Sequence, residues 1–134
     1  MSFDRAPIYY DIFDARTTTG VSKQIDIGSF RNQAFSVYGA GTITATVKVR
    51  ISSQEDVDLS ASASATNRWT YADLAPSNAA GVITDGDTGI AISTAGSFDF
   101  EINQNCYTWC ALEITAISGS GAAITASLAL TSNQ

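Results

Sequence analysis

The segment at residues 42–52, TITATVKVRIS, decides the fold. Polar and apolar residues alternate along it, and the apolar ones are Ile43, Ala45, Val47, Val49 and Ile51. Successive side chains of a β-strand point to opposite faces of the sheet, so this alternation is typical of a half-buried strand. The segment therefore predicts a strand with one face in the core and the other in water.

Two hairpins are predicted on either side of this strand. Residues 33–38 precede residues 42–52, and residues 106–117 precede residues 123–131, in each case across a short tripeptide. The tripeptides are GAG at 39–41 and GSG at 119–121. Because glycine adopts the backbone conformations that tight turns need, each pair of segments is predicted to be two adjacent antiparallel strands.

Shorter strands are predicted between these two pairs. The dipeptide Asp85-Gly86 favours a turn that joins residues 82–84 to residues 89–93. The run SASASA at residues 60–65 is low in complexity and is predicted to be a loop. The other predicted strands cover residues 20–27, 68–74 and 97–102.

Length and composition then set the fold class. The chain has 134 residues, the length of one domain, and only 15% of them are charged. Sustained helical periodicity is absent from the sequence pattern, whereas Ile, Val and Thr are frequent, which favours strands. We predict an all-β fold, an antiparallel β-sandwich of jelly-roll or immunoglobulin-like type, with about seven to nine strands and little helix. Residues 16–134 are predicted to form this single domain, and residues 1–15 an N-terminal arm or its first strand.

The charge of the chain argues against two classes of partner. Seven Lys and Arg residues stand against thirteen Asp and Glu residues, a net charge of −6. Nucleic acid and anionic membranes would repel such a chain, so neither is expected as a partner. The first residues lack the pattern of a secretory signal, and synthesis in the cytoplasm is expected.

Chemically reactive groups are scarce in the sequence. The chain has no histidine, and we expect no enzymatic activity, no cofactor and no metal site. The stretch DGDTG at 85–89 departs from a calcium loop because Gly89 occupies a ligand position. Alternation places Asp99 and Glu101 toward water rather than in a cleft. Cys106 and Cys110 would lie about 13 Å apart on an extended strand, too far for a disulfide, and are predicted to be small buried side chains.

Two groups of apolar and aromatic residues are candidates for contact with a partner. The first is crowded at the N-terminus, where the segment forms either a first strand or an arm that docks on another chain. Its members are Phe3, Ile8, Tyr9, Tyr10, Ile12 and Phe13. The second is Tyr107 and Trp109, which alternation places opposite Leu112 and Ile114, so a loop, a subunit or a ligand must cover one of the two sets. Exposed aromatics would alternatively suit sugar rings, as in a carbohydrate-binding module, and the candidates are Trp69, Tyr71, Tyr107 and Trp109.

The order of these features resembles small β-sandwich proteins of tailed-bacteriophage virions. The similar parts are TTTG at 17–20, FRNQAFSV at 30–37, GTITATVKV at 41–49, a strand with Trp69, and the closing segments around Gly119 and Gly121. The likeness covers most of residues 17–131 and is one of pattern, with no catalytic signature.

The resemblance implies a decoration, or cement, protein of the capsid, or a small head or tail component. Such a protein would bind the major capsid protein or other virion subunits on the exterior of the capsid. It would form a homo-oligomer, for example a trimer, because multivalent attachment strengthens weak individual contacts. The N-terminal residues would then supply the docking surface.

Overall fold

The computed structural model describes residues 6–79, 81–103 and 107–132, and it shows an all-β chain. Two antiparallel sheets form a sandwich, so the predicted fold class is confirmed. None of the described residues lies in a helix, and thus none belongs to a helix able to cross a membrane. The described residues form twelve strands rather than seven to nine, because several predicted strands are interrupted and leave pieces of two or three residues.

The first sheet has six strands. Its order is β1-β12-β4-β10-β7, and β9 also pairs with β4. Its strands are β1 (Ile8–Arg16), β4 (Asn32–Ala40), β7 (Leu74–Pro76), β9 (Gly96–Ser97), β10 (Phe100–Ile102) and β12 (Ala123–Thr131).

The second sheet also has six strands. Its order is β2-β11-β5-β6, with β3 paired to β11 and β8 paired to β5. Its strands are β2 (Gly20–Val21), β3 (Ile25–Asp26), β5 (Thr44–Ser52), β6 (Thr70–Tyr71), β8 (Ile90–Ile92) and β11 (Trp109–Ser118).

The two predicted main hairpins are wrong. β4 pairs with β12 over nine positions, and β5 pairs with β11, so both short tripeptides carry the chain from one sheet to the other. The two crossings touch, since the Thr42 N–H donates to the Ser120 carbonyl at 3.0 Å and a Cβ on Gly119 would overlap the Thr42 carbonyl oxygen. Glycine permits a sheet-crossing corner as readily as a hairpin turn, and each apolar face is buried best against the opposite sheet.

The third predicted hairpin is also wrong. Thr84 forms an isolated bridge with Leu74, while β8 pairs with β5. The Asp85 carbonyl instead accepts from the N–H groups of Thr88 and Gly89, which closes a local turn. The predicted loop at residues 60–65 is confirmed.

The core fills the space between the sheets. On β5, Ala45, Val47, Val49 and Ile51 are buried, as the alternation predicts. From the opposite sheet, β12 contributes Ile124, Ala126, Leu128 and Leu130. The rings of Phe35 and Phe100 stack with centroids 5.3 Å apart and join β4 to β10 within the core.

Candidate interaction surfaces

The predicted N-terminal contact residues lie on β1, an edge strand of the first sheet. β1 pairs with β12, and the register shifts between Asp11 and Phe13, so one extra residue, Ile12, is inserted there. The shift returns Phe13 to the core side opposite Ala126, and Phe13 is only 6% exposed. Tyr10 and Ile12 are half-buried against the core.

Among the described residues of that predicted group, two are exposed to solvent. Tyr9 is 73% exposed and Ile8 is 37% exposed, both in the straight half of β1. Phe3 lies outside the described residues. The structure therefore divides the predicted contact group into core residues and two surface residues.

Tyr9 begins a row of residues that crosses the outer face of the first sheet. Successive pairings join Tyr9 to Ala129, Ala129 to Ala34, Ala34 to Glu101, and Glu101 to Ala75. The row therefore has two alanines between a tyrosine and a carboxylate, and a third alanine beyond the carboxylate. It forms the floor of a groove of about 550 Å³, called the first-sheet groove below.

Asp99 and Glu101 both line the first-sheet groove, and both are exposed. The exposure agrees with the alternation, but the prediction that these carboxylates avoid a cleft is wrong. Glu101 lies on β10 and Asp99 directly precedes it, and residues of β7 and of the segment after β7 line the same concavity. Among the described residues that line this groove, two are acids and none is Lys or Arg.

Part of the outer face of the second sheet is covered by the chain itself. Residues 53–69, called the covering loop below, connect β5 to β6 and place Val57 and Leu59 over Ala111 of β11. Gln24 ties the loop down from a second side: its side-chain amide donates to the Val57 carbonyl at 3.0 Å and accepts from the Leu59 N–H at 2.9 Å.

An arginine beneath the covering loop joins it to the sheet. Arg50 donates to both carboxylate oxygens of Glu113, at 2.8 and 2.9 Å, and the two side chains are 11% and 14% exposed. Its remaining nitrogen donates to the carbonyls of Leu59 and Ala61, at 2.8 and 3.2 Å. Tyr71 donates to the same carboxylate at 2.7 Å. We call Arg50, Glu113 and Tyr71 the clamp.

The clamp changes the ionisation of its members. Burial by itself raises the pKa of the Glu113 carboxyl, but hydrogen bonds from Arg50 and Tyr71 outweigh it and hold that pKa below its usual value. Burial and the hydrogen bond to Glu113 together raise the pKa of the Tyr71 phenol. Glu113 is therefore ionised and Tyr71 neutral at pH 7, the pair of states that the clamp requires.

Two tryptophans on the outer side of the second sheet contact the covering loop or the clamp. The Trp69 indole N–H donates to the Ala61 carbonyl at 2.9 Å, and its ring lies 4.0 Å from the Arg50 guanidinium carbon. Trp109 packs against the covering loop. Of the three covers expected for this side chain, a loop, a subunit or a ligand, the structure shows a loop of the chain itself. Alternation predicts that Tyr107 shares the face of Trp109, but Tyr107 packs against the main core. Tyr107 precedes β11, so the alternation of that strand does not extend to it.

The sequence reasoning missed the clamp and the floor of the first-sheet groove. Glu113 is the one charged residue of β11, and a single charge in an otherwise neutral strand is a signal of a paired site. Its partner lies 63 positions away, however, and only the register of β5 with β11 identifies it. For Ala34 and Ala129, no signal in the sequence separates a groove floor from an ordinary packed surface.

The cysteines and the possible metal ligands can also be located in the structure. Cys110 is fully buried, and burial raises the pKa of its thiol to about 12; Cys106 lies outside the described residues. Within residues 6–79, 81–103 and 107–132, no three His, Cys, Asp or Glu side chains are grouped so that they could hold a metal ion.

Comparison with known proteins finds a solved structure with the same fold. A crystal structure of the SPBc2 prophage-derived protein YomS matches 98% of this chain and 97% of its own, with a TM-score of 0.67. The two sequences are 12% identical, so the match is one of architecture. No family model matches this chain, and no curated protein matches it by sequence.

Proposed function

We propose that the protein is a non-enzymatic structural component of a tailed-phage virion. In this proposal it binds the capsid surface as a decoration protein, through β1 and the outer face of the first sheet. The observation that carries it is the difference between the two outer faces: the covering loop packs on the second, while the first has a groove bordered by the exposed Tyr9. A rigid sandwich with one uncovered face suits contact rather than catalysis.

The architecture supports a phage protein by analogy with the prophage-derived YomS, which has this fold over nearly its full length. The partner would be the major capsid protein or another virion subunit, on the exterior of the particle. Oligomerisation, for example as a trimer, would let several weak sites bind together.

A carbohydrate-binding module is the second candidate. A concavity of about 300 Å³ brings Trp69, Tyr107, Arg68 and Gln54 together, which are side chains that suit a sugar. The Trp69 ring already contacts Arg50 and Tyr71, however, so less of its surface is left for stacking. Tryptophan fluorescence that responds to bacterial cell-wall oligosaccharides, but not in Trp69→Phe, would favour this candidate.

The main test is co-sedimentation of the full chain with particles of the phage that carries the gene. We expect binding, and we expect Ile8→Ser with Tyr9→Ser to weaken it roughly tenfold, because exposed aromatic anchors dominate such interfaces. Deletion of the whole segment is unsuitable, since it would remove Phe13 from the core.

The matched control is Val82→Ser with Ile83→Ser. These two residues are about as exposed, but they follow β7 at the opposite edge of the first sheet from β1. We expect this pair to bind particles as the unchanged chain does. Failure of the full chain to co-sediment, together with a strict monomer in light scattering, would overturn the proposal.

A further inference from the structure

We propose that the first-sheet groove binds an extended segment of a partner protein that carries Lys or Arg side chains. This inference rests on the proposed function and names the chemistry of the partner. It is carried by the shape of the groove, by the sign of its charges and by the aromatic residue at one end.

The shape suits an extended chain. The row from Tyr9 to Ala75 crosses five strands, and four strand spacings cover about 19 Å, the length of about six extended residues. Ala129 and Ala34 form the middle of the row, and their small side chains let a peptide backbone approach the sheet closely. Ser127 and Ser36 pair in the next row, and both also line the groove.

The charges specify a cationic partner. Asp99 and Glu101 line the groove, none of the other lining residues in the described part of the chain is Lys or Arg, and Asp11 is exposed in the next row beside Ser127. A concave surface with charge of one sign concentrates the field and attracts ligands of the opposite sign. The net charge of −6 adds to that attraction and disfavours a second copy of the same acidic chain.

Tyr9 completes the arrangement. It borders the groove at the β1 edge and is 73% exposed, so a Lys or Arg side chain can reach the face of its ring. Lysine therefore has two kinds of contact along one row, a carboxylate and an aromatic face. A segment in which basic and apolar residues alternate would place its basic side chains toward these groups.

The experiment is a titration of the ¹⁵N-labelled full chain, followed by NMR, with a capped peptide of three Lys-Val repeats. A peptide of three Glu-Val repeats is the matched probe. We expect the lysine peptide to shift the amide signals of Ala34, Ser36 and Ala129, and the glutamate peptide to leave them in place. Raising the salt from about 20 mM to about 500 mM should weaken the binding several-fold.

Variants then test the carboxylates. Asp99→Asn with Glu101→Gln should weaken lysine-peptide binding about fivefold, the size expected for the loss of two exposed ion pairs. Glu55→Gln with Asp56→Asn removes the same charge from the covering loop and should leave the affinity unchanged. The inference would be overturned if both peptides bound equally well, or if both variants lost the same affinity for the lysine peptide. It would also be overturned if the amide signals that shift belonged to residues outside the groove, or if the groove signals shifted with protein concentration in the absence of peptide.

These outcomes separate the inference from the proposed function. If particles bind the full chain but neither the peptide nor the carboxylate variant has an effect, the inference fails and the virion role stands. If the lysine peptide binds in the groove but particles do not bind, the virion role fails and the chemistry of the groove stands.

Discussion

Replacement of Arg50 by methionine tests whether the clamp holds the covering loop on the second sheet. The change removes two hydrogen bonds to Glu113 and two to loop carbonyls, and it leaves the carboxylate with Tyr71 as its remaining donor. Loss of one partner from a fully buried ion pair costs about 3–5 kcal/mol. Because Arg50 and Glu113 are 11% and 14% exposed, water compensates in part, and we expect the lower end, about 3 kcal/mol.

The measurement is equilibrium unfolding in urea, combined with limited proteolysis. For a chain of this length about 3 kcal/mol corresponds to a fall in melting temperature of roughly 12 °C. A double-mutant cycle of Arg50→Met and Glu113→Gln should give a coupling energy of about 1.5 kcal/mol or more. Proteolysis of the Arg50 variant should begin in the covering loop.

The control is Arg68→Met. Arg68 is an exposed arginine of the covering loop that donates to the Ala65 carbonyl within the loop, so its loss should change the unfolding free energy by less than about 0.5 kcal/mol. A cost below about 1 kcal/mol for Arg50→Met, without coupling to Glu113, would show that the pair behaves as a solvated surface ion pair. That result would leave Gln24 and the apolar contacts of Val57 and Leu59 as the interactions that hold the covering loop.

Three further perturbations have expected outcomes. The pKa of Glu113 is lower in the folded chain than in the unfolded one, so the stability that its carboxylate contributes is present above about pH 4.3 and is lost as the pH falls through the lower folded value. In urea, the free energies of unfolding of the unchanged chain and of Glu113→Gln should therefore converge in acid. A difference that stays constant with pH would contradict this prediction. Cys110, with its pKa raised to about 12, should react with an aromatic disulfide reagent only after unfolding, measured in Cys106→Ser, and rapid native reaction would refute its burial. Gly119→Ala should prevent folding or lower the free energy of unfolding by more than about 3 kcal/mol, because its Cβ would overlap a backbone oxygen. Gly81 also has a positive φ but lies in open space, so Gly81→Ala should lower that free energy by about 1–2 kcal/mol in thermal unfolding. Equal losses of stability in the two variants would contradict the clash at Gly119.

The pairing of the strands was where sequence reasoning went wrong. Residues 42–52 and 33–38 are strands, as their alternation predicts, but they lie in different sheets. Alternation specifies which side chains face the core and says nothing about which strand lies alongside. Glycine between two strands is equally compatible with a hairpin and with a corner, so the choice falls to the packing of whole faces.

The candidate sites show the same division. The apolar residues at the N-terminus could be recognised from sequence, yet an inserted residue in β1 sends Phe13 into the core and leaves Tyr9 outside. The groove beside Tyr9 depends on alanines drawn from β4 and β12, which are distant in the chain. Their common surface arises from register, and register is a property of the assembled sheet.

The amino-acid sequence by itself determined the class of structure, because a period of two with few charges and frequent β-branched residues can bury its apolar atoms only in stacked sheets. Its acidic charge also determined the sign of the surface. The tertiary structure alone decided which outer face stays uncovered. The covering loop is held over the second sheet in part by the Arg50–Glu113 pair, whose two residues lie 63 positions apart in the chain and meet only when β5 and β11 are aligned.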